Sequence, residues 1–234
     1  HYYSDLFNAE ATTSFSSIIP LPYFNWPWTM YLDPIPIKNN IWSYNDIQTE
    51  PKGIIPRILF MANNCQSRNN RELKIKQMYD LVDSVSRCLK NKDVGYYIED
   101  KEAFMSQYMF YAAFENGSTE DYITEKLWGA FRSGTLPIVY GAPNIWEHVP
   151  AHSILNVDDW SSVSALVNHI KYLINNRTAY NEYHTWRFKP LPHWFVVKYN
   201  FTHVHSECRV CRYVIAKREG LEWDPVQQDI KLIN

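Results

Sequence analysis

From Pro56 onward the chain alternates short apolar runs with polar loops and amphipathic stretches, and this order limits the fold more than any other feature. "RILFMA" (57–62) reads as a buried strand, "NNCQSRNN" (63–70) as a loop, and "RELKIKQMYDLV" (71–82) as a helix with Leu73, Ile75, Met78, Leu81 and Val82 as its apolar positions. "YMFYAAFE" (108–115) is a second strand, followed by a loop at 115–118 and a helix predicted over about 119–133, which Gly134 stops in the left-handed conformation. "LPIVYG" (136–141) and "SILNV" (153–157) are further strands. Asp158 or Asp159 then caps a helix with Val163, Leu166, Val167, Ile170 and Leu173 on one face. Repeated strand–helix alternation predicts an α/β fold, a parallel sheet covered on both sides.

Residues 18–56 differ in kind. They are rich in Pro, Trp and Asn ("PLPYFNWPWTMYLDPIPIKNN"), and read as irregular and short extended pieces that end one unit and lead to the next. The expected organisation is therefore 1–55 as the last part of one domain with its linker, 56–190 as a nucleotide-binding-like domain, and 191–234 as a tail with a Cys-x-x-Cys. The chain starts at His1 without an initiator Met, so we expect a fragment or a mature portion of a longer protein.

Charge bears on ligands. A formal net charge of -2 argues against nucleic acid as a bulk partner, so any anionic ligand must be held by a few local cations. No run of 18 or more apolar residues occurs, so membrane anchoring is expected only through a segment outside this chain. Sequons at Asn116, Asn176 and Asn200 are compatible with the secretory pathway.

In an open α/β sheet, ligands sit at the carboxyl ends of strands, where loops enter helix N-termini. Two such loops carry unusual chemistry. One holds Arg68 and Arg71; the other holds Asn116 and leads into Tyr122, Glu125 and Lys126. A pyrophosphate would be served there by Arg68 and Lys126 as cations and by the helix end as a donor set, with Glu125 accepting from ribose hydroxyls. The alternative is a solvated helix face with a capping box from Ser118 to Asp121.

The stretch "FENGSTEDYITEKLWGAFRSGTLPIVYGAPN" (114–144) resembles the donor-binding signature of the α1,3-fucosyltransferase family, F-E-N-S-x-x-x-D-Y-[VI]-T-E-K-[LF]-W with a downstream G-x-[VL]-P-[VI]-V-x-G-A-P. "SILNVDDW", "NNCQSRNNR" and "LFNAEATTSFSS" are similar to other segments of that family, so the likeness runs from about residue 5 to 215. It implies two facing Rossmann-like domains of the GT-B type, with the C-terminal donor domain complete here and the N-terminal acceptor domain truncated. The implied function is inverting transfer of L-fucose from GDP-fucose to a hydroxyl of a glycan or glycoprotein acceptor, α1,3 to GlcNAc. The alternatives are a protein O-fucosyltransferase and a non-catalytic nucleotide- or carbohydrate-binding relative.

By the same resemblance Arg68 and Lys126 hold the diphosphate, Tyr122 and Glu125 contact the ribose and nearby groups, and Asn116 is the donor-site asparagine. The general base is expected upstream of His1, since Asp5 and Glu10 match no motif position, and no catalytic residue is named. No cofactor or metal is required, a divalent ion being at most stimulatory. The expected place of action is the lumen of the Golgi, through a type II anchor in the full-length protein, or of the endoplasmic reticulum. Three departures from the family pattern are Gly117 for Ser, Ser86 for Gly, and Met109 for a Lys, the last expected to remove a cation near the donor cleft.

Cys208 and Cys211, with His203 and His205, have metal-ligand types at short spacing, but a disulfide, either local or to Cys65 or Cys88, is the reading we adopt. Trp26, Trp28 and Trp42 are read as core rather than sugar-stacking, and His148 and His193 are left out of the site.

Overall fold

The computed structural model describes residues 9–22, 54–190, 192–195, 198 and 206–231. Trp26, Trp28, Trp42, His203, His205 and Asn200 lie outside the described residues. Two short parallel strands, β1 (Ala11–Thr12) and β2 (Ile19–Pro20), precede the main sheet. Then follow β3 (Ile55–Phe60), α1 (Arg71–Gln77), β4 (Val82–Ser84), α2 (Lys101–Met105), β5 (Tyr108–Phe114), α3 (Glu125–Ser133), β6 (Leu136–Tyr140) and β7 (Leu155–Asn156). The chain continues through α4 (Val163–Asn175), α5 (Arg177–Glu182), α6 (Ser206–Arg218) and an antiparallel pair, β8 (Trp223–Asp224) and β9 (Asp229–Ile230).

Strands β3 to β7 form one parallel sheet in the order β4-β3-β5-β6-β7, as the strand–helix alternation requires. Successive side chains of a strand point to opposite faces, and both faces of β5 are apolar. Phe110, Ala112 and Phe114 face a core with Ile75, Leu166, Ile170, Leu173 and Tyr180. Tyr111 and Ala113 face the other core, with Leu127, Trp128, Phe131 and Trp186. Every residue of β5 is buried, which explains why it reads as a continuous apolar run.

The order reverses between β3 and β5. The first strand of the sheet is flanked by the second on one side and the third on the other, so the carboxyl ends of β3 and β5 mark the switch point, the place where open α/β sheets form their ligand crevice. The loops leaving those ends span 61–70 and 115–124, the two that carry the candidate residues.

Several local expectations are corrected. The segment 71–82 is not one helix: α1 ends at Gln77, a 3-10 turn covers Tyr79–Leu81, and Val82–Ser84 becomes the edge strand β4, leaving Leu73 exposed. Its apolar spacing suits either element, and pairing with β3 decides for a strand. Ser162, not Asp158 or Asp159, caps α4 by accepting from the Ala165 amide at 3.1 Å; the two aspartates lie in a 3-10 turn capped by Asn156. Met109 is the second residue of β5, buried in the core with α4 and far along the strand from its carboxyl end, so its side chain belongs to packing rather than to the crevice. Gly134 adopts φ 79° and ends α3 as predicted.

The cysteine pairing is also corrected. Cys65 and Cys88 are joined, while Cys208 and Cys211 on α6 are exposed free thiols. The bridge ties the loop after β3 to the segment after β4, closing a sequence separation of 23 residues. On loop-closure grounds it is worth about 3 kcal/mol. Urea unfolding with and without reductant should show a loss of that order, and the Cys88→Ser variant should be insensitive to reductant.

Candidate functional site at the sheet switch point

The loop after β3 is shaped by its own polar side chains. Ser67 closes the start of α1: its hydroxyl accepts from the Arg71 amide (3.0 Å) and donates to Glu72 Oε2 (2.8 Å), while its amide donates to Glu72 Oε1 (3.0 Å). The chain enters α1 through Asn70 at φ 55°, a left-handed conformation that asparagine tolerates.

The two arginines of this loop have different fates. Arg71 is buried; its guanidinium donates from Nη1 to the Phe114 carbonyl (2.7 Å) and from Nη2 to that of Asn64 (3.0 Å), and its Nε lies 3.8 Å from Glu72 Oε1. It fastens the loop to the end of β5. Arg68 is exposed, and no hydrogen bond or ion pair holds its side chain among the described residues. Its amide donates to the Asn116 carbonyl at 2.8 Å, so the two loops meet at this point.

The loop after β5 turns on a buried carboxylate. Glu115 is 3% exposed; its Oε1 accepts from the amide (2.8 Å) and hydroxyl (2.7 Å) of Thr124, and its Oε2 accepts from Lys126 Nζ (2.9 Å). These contacts hold 116–123 as a loop and start α3 at Glu125, so the helix expected from 119 is six residues shorter and Tyr122 stands before it. The capping box from Ser118 to Asp121 does not form. The sequence reading missed Glu115; the signal was a lone charge at the end of an unbroken apolar strand, nine residues before Thr124.

Of the five predicted residues, Asn116 and Tyr122 are joined directly, the phenol donating to Asn116 Oδ1 at 3.1 Å. Glu125 is exposed on the first turn of α3. Burial of its carboxyl acts upward, but the charge of Lys126 and local hydrogen bonds hold it below the usual range, so it is an ionised acceptor at neutral pH. Lys126 is committed. Its ammonium reaches Glu115, Thr124 Oγ1 (2.7 Å) and Glu125 (3.4 Å), and although burial acts downward, the Glu115 charge raises its pKa. The structure thus brings all five predicted residues to the two loops and helix start at one end of the sheet, with Arg68 as a cation unpaired among the described residues and Lys126 as one already paired with Glu115.

Behind this loop lies a second cluster. His148, 1% exposed, bonds through Nε2 to Asp121 Oδ1 (2.9 Å), and Lys198 Nζ approaches its Nδ1 at 3.2 Å. The Asp121 carboxyl is pushed up by burial, but donors from Asn144, Phe15 and Ser14 bring it below its ordinary value. Burial first, and then the Lys198 charge, lower the His148 pKa to about 4, against the pull of Asp121 and Glu147.

Two expectations follow from this geometry. A Cβ at Gly141 would lie 2.9 Å from Glu115 Cβ and Cγ, so Gly141→Ala must displace Glu115 and break its bonds to Thr124 and Lys126. A destabilisation of about 1–3 kcal/mol is expected in chemical unfolding. His148 stays neutral in the native state while the unfolded residue protonates near its ordinary value, so its contribution to stability is full above about pH 6.5 and about 3 kcal/mol of it is lost as the pH drops to about 4. In His148→Gln the pH dependence of the unfolding midpoint between about pH 6.5 and 4 should become shallower, the remaining slope coming from His184 and His169, whose pKa values burial also lowers.

Comparison with known proteins accords with this geometry. Residues 55–229 match the C-terminal part of glycosyltransferase family 10 (fucosyltransferase). A fucosyltransferase-like protein of Arabidopsis thaliana is 31% identical over 92% of this chain and 39% of its own length. GDP-fucose protein O-fucosyltransferase 3 of Homo sapiens is 30% identical over 79% of this chain and 40% of its own length. The chain therefore spans about two fifths of the length of these relatives. Among solved structures, an α1,3-fucosyltransferase with GDP-fucose is 29% identical with a TM-score of 0.50, over 54% of this chain and 37% of the other. A further α1,3-fucosyltransferase structure is 26% identical with a TM-score of 0.51, over 62% and 42%. With the family model matching residues 55–229, most of the chain, the protein belongs to glycosyltransferase family 10, the fucosyltransferases.

Proposed function

We propose that this chain is the donor-binding part of an inverting glycosyltransferase that moves L-fucose from GDP-fucose to a hydroxyl of a glycan acceptor, α1,3 to GlcNAc. The observation that carries the reading is the uncommitted Arg68 guanidinium at the switch point, beside the Asn116–Tyr122 pair and the first turn of α3. A departing nucleoside diphosphate needs charge stabilisation where the bond breaks. Arg68 supplies a charge-assisted contact, the amides at the start of α3 supply further donors, and Lys126 adds its charge when the diphosphate competes with Glu115 for it. Glu125, ionised and exposed, takes the ribose hydroxyls.

Transfer with inversion also needs a base to deprotonate the acceptor hydroxyl. That group is assigned to the acceptor domain of the full-length protein, which faces the donor domain in a GT-B arrangement. A second reading of the acceptor is a Ser or Thr of a folded protein module, favoured by the likeness to the human O-fucosyltransferase. Both use the same donor. The Cys65–Cys88 bridge supports an oxidising lumen, Golgi or endoplasmic reticulum, as the place of action.

Calorimetry should show GDP binding and no comparable binding of UDP. Arg68→Ala should weaken GDP ten- to hundredfold, the equivalent of a contact of about 1.5–3 kcal/mol. Equal affinity for UDP, or an unchanged affinity in folded Arg68→Ala, would overturn the assignment. Offering glycan and protein-module acceptors to the full-length enzyme with labelled GDP-fucose decides between the two acceptors.

A further inference from the structure

We propose that Asp121 is a positioning residue for the donor loop, and that it acts by clasping the turn at Ser14–Ser17 to that loop. The inference rests on the donor-site reading above for its effect on nucleotide binding, and on geometry alone for the clasp.

Asp121 has φ 62°, a left-handed conformation that aspartate tolerates, and its side chain and backbone are held there from several sides. Oδ1 accepts from Asn144 Nδ2 (2.9 Å) and from His148 Nε2 (2.9 Å); Oδ2 accepts from Ser14 Oγ (3.0 Å) and the Phe15 amide (2.9 Å). The Asp121 amide donates to Asn144 Oδ1 (2.9 Å), and its carbonyl accepts from the Ile123 amide (3.0 Å). The kink so held is directly followed by Tyr122, whose phenol reaches Asn116.

The side chains behind the carboxylate set its partner's tautomer. Lys198 is a donor to His148 Nδ1, so Nε2 carries the proton and donates to Asp121. Lys198 is itself held by the Glu147 carbonyl (2.7 Å) and lies 5.1 Å from the Phe15 ring centroid, and Phe15 stacks on His148 at 5.6 Å. The turn thus closes over a lysine–histidine–aspartate chain of hydrogen bonds.

The other side of the same segment is bound elsewhere. The buried Arg209 of α6 donates from Nη2 to the Pro20 carbonyl (2.7 Å), and Gln228 donates to that of Ile18 (3.0 Å). Residues 14–20 therefore bridge the loop that carries Tyr122 to the C-terminal helix. None of these contacts points at the crevice, yet they decide whether Tyr122 and Asn116 are preset for a ligand. A preset loop binds more tightly because its ordering cost is met before the ligand arrives.

The test uses the full-length protein. Asparagine at 121 keeps the size but replaces one acceptor oxygen by a donor, so it cannot accept on both sides of the carboxylate. In Asp121→Asn, amide hydrogen exchange at 116–124 without nucleotide should rise tenfold or more while β5 and β6 stay protected. GDP affinity should fall about tenfold, and this loss should shrink in a Tyr122→Phe background, because Asp121 acts through the placement of Tyr122. Ser14→Ala, which removes one of the four bonds, should move exchange and affinity in the same direction by less, and it decides the matter if Asp121→Asn does not fold. Exchange within twofold of wild type at 116–124, or a GDP loss that is the same with and without Tyr122, would overturn the proposal. If the wild type does not bind GDP, the donor-site reading fails and the exchange measurement alone decides the clasp.

Discussion

The buried carboxylate of Glu115 organises the ligand end of this protein. A charge removed from water costs several kcal/mol unless it is paired and its remaining lone pairs are used. Glu115 meets that demand with the Thr124 amide and hydroxyl on one oxygen and Lys126 on the other. Because those donors lie nine and eleven residues later, satisfying them folds 116–123 outward as a loop and sets where α3 begins. Gly141, with no Cβ, allows the carboxylate stem to pass close to the neighbouring strand's end.

The cations around the crevice are divided by what they already hold. Arg71 is buried, bonded to two carbonyls and paired with Glu72, which makes it a fastener between the loops after β3 and β5. Lys126 is half neutralised by Glu115. Arg68 is left to solvent on the loop after β3, so its charge is not neutralised by any described residue. A net charge near zero for the chain is compatible with anion binding because one such group at the switch point suffices, aided by a helix N-terminus.

Rigidity of the loop between β5 and α3 comes from two directions. Glu115 holds its start and end against the sheet, and Asp121 holds its middle against the turn at Ser14–Ser17. The disulfide from Cys65 to Cys88 steadies the partner loop after β3. Both loops that form the switch-point crevice are therefore fixed by contacts outside it, and the groups facing it are free to be chosen for a ligand.

The parallel α/β architecture was legible in the sequence because strands buried on both faces must be apolar throughout, as in "YMFYAAF", and because Gly134 is suited to the left-handed helix end it makes. The five candidate residues were picked out by the crevice rule and the family resemblance, and the structure places them at one end of the sheet. Other features depend on partners distant in the chain. Val82–Ser84 is a strand only because β3 offers an edge, and α3 starts at Glu125 rather than 119 because Glu115 claims Thr124. Ser162 caps α4 in place of the aspartates, and Cys65 pairs with Cys88 because β3 and β4 lie side by side. The sequence by itself determined which segments are apolar enough to be buried and which carry charge. Only the tertiary structure decided which charges are spent on one another, because ion pairs and hydrogen bonds are settled by distances of about 3 Å between groups that lie far apart along the chain.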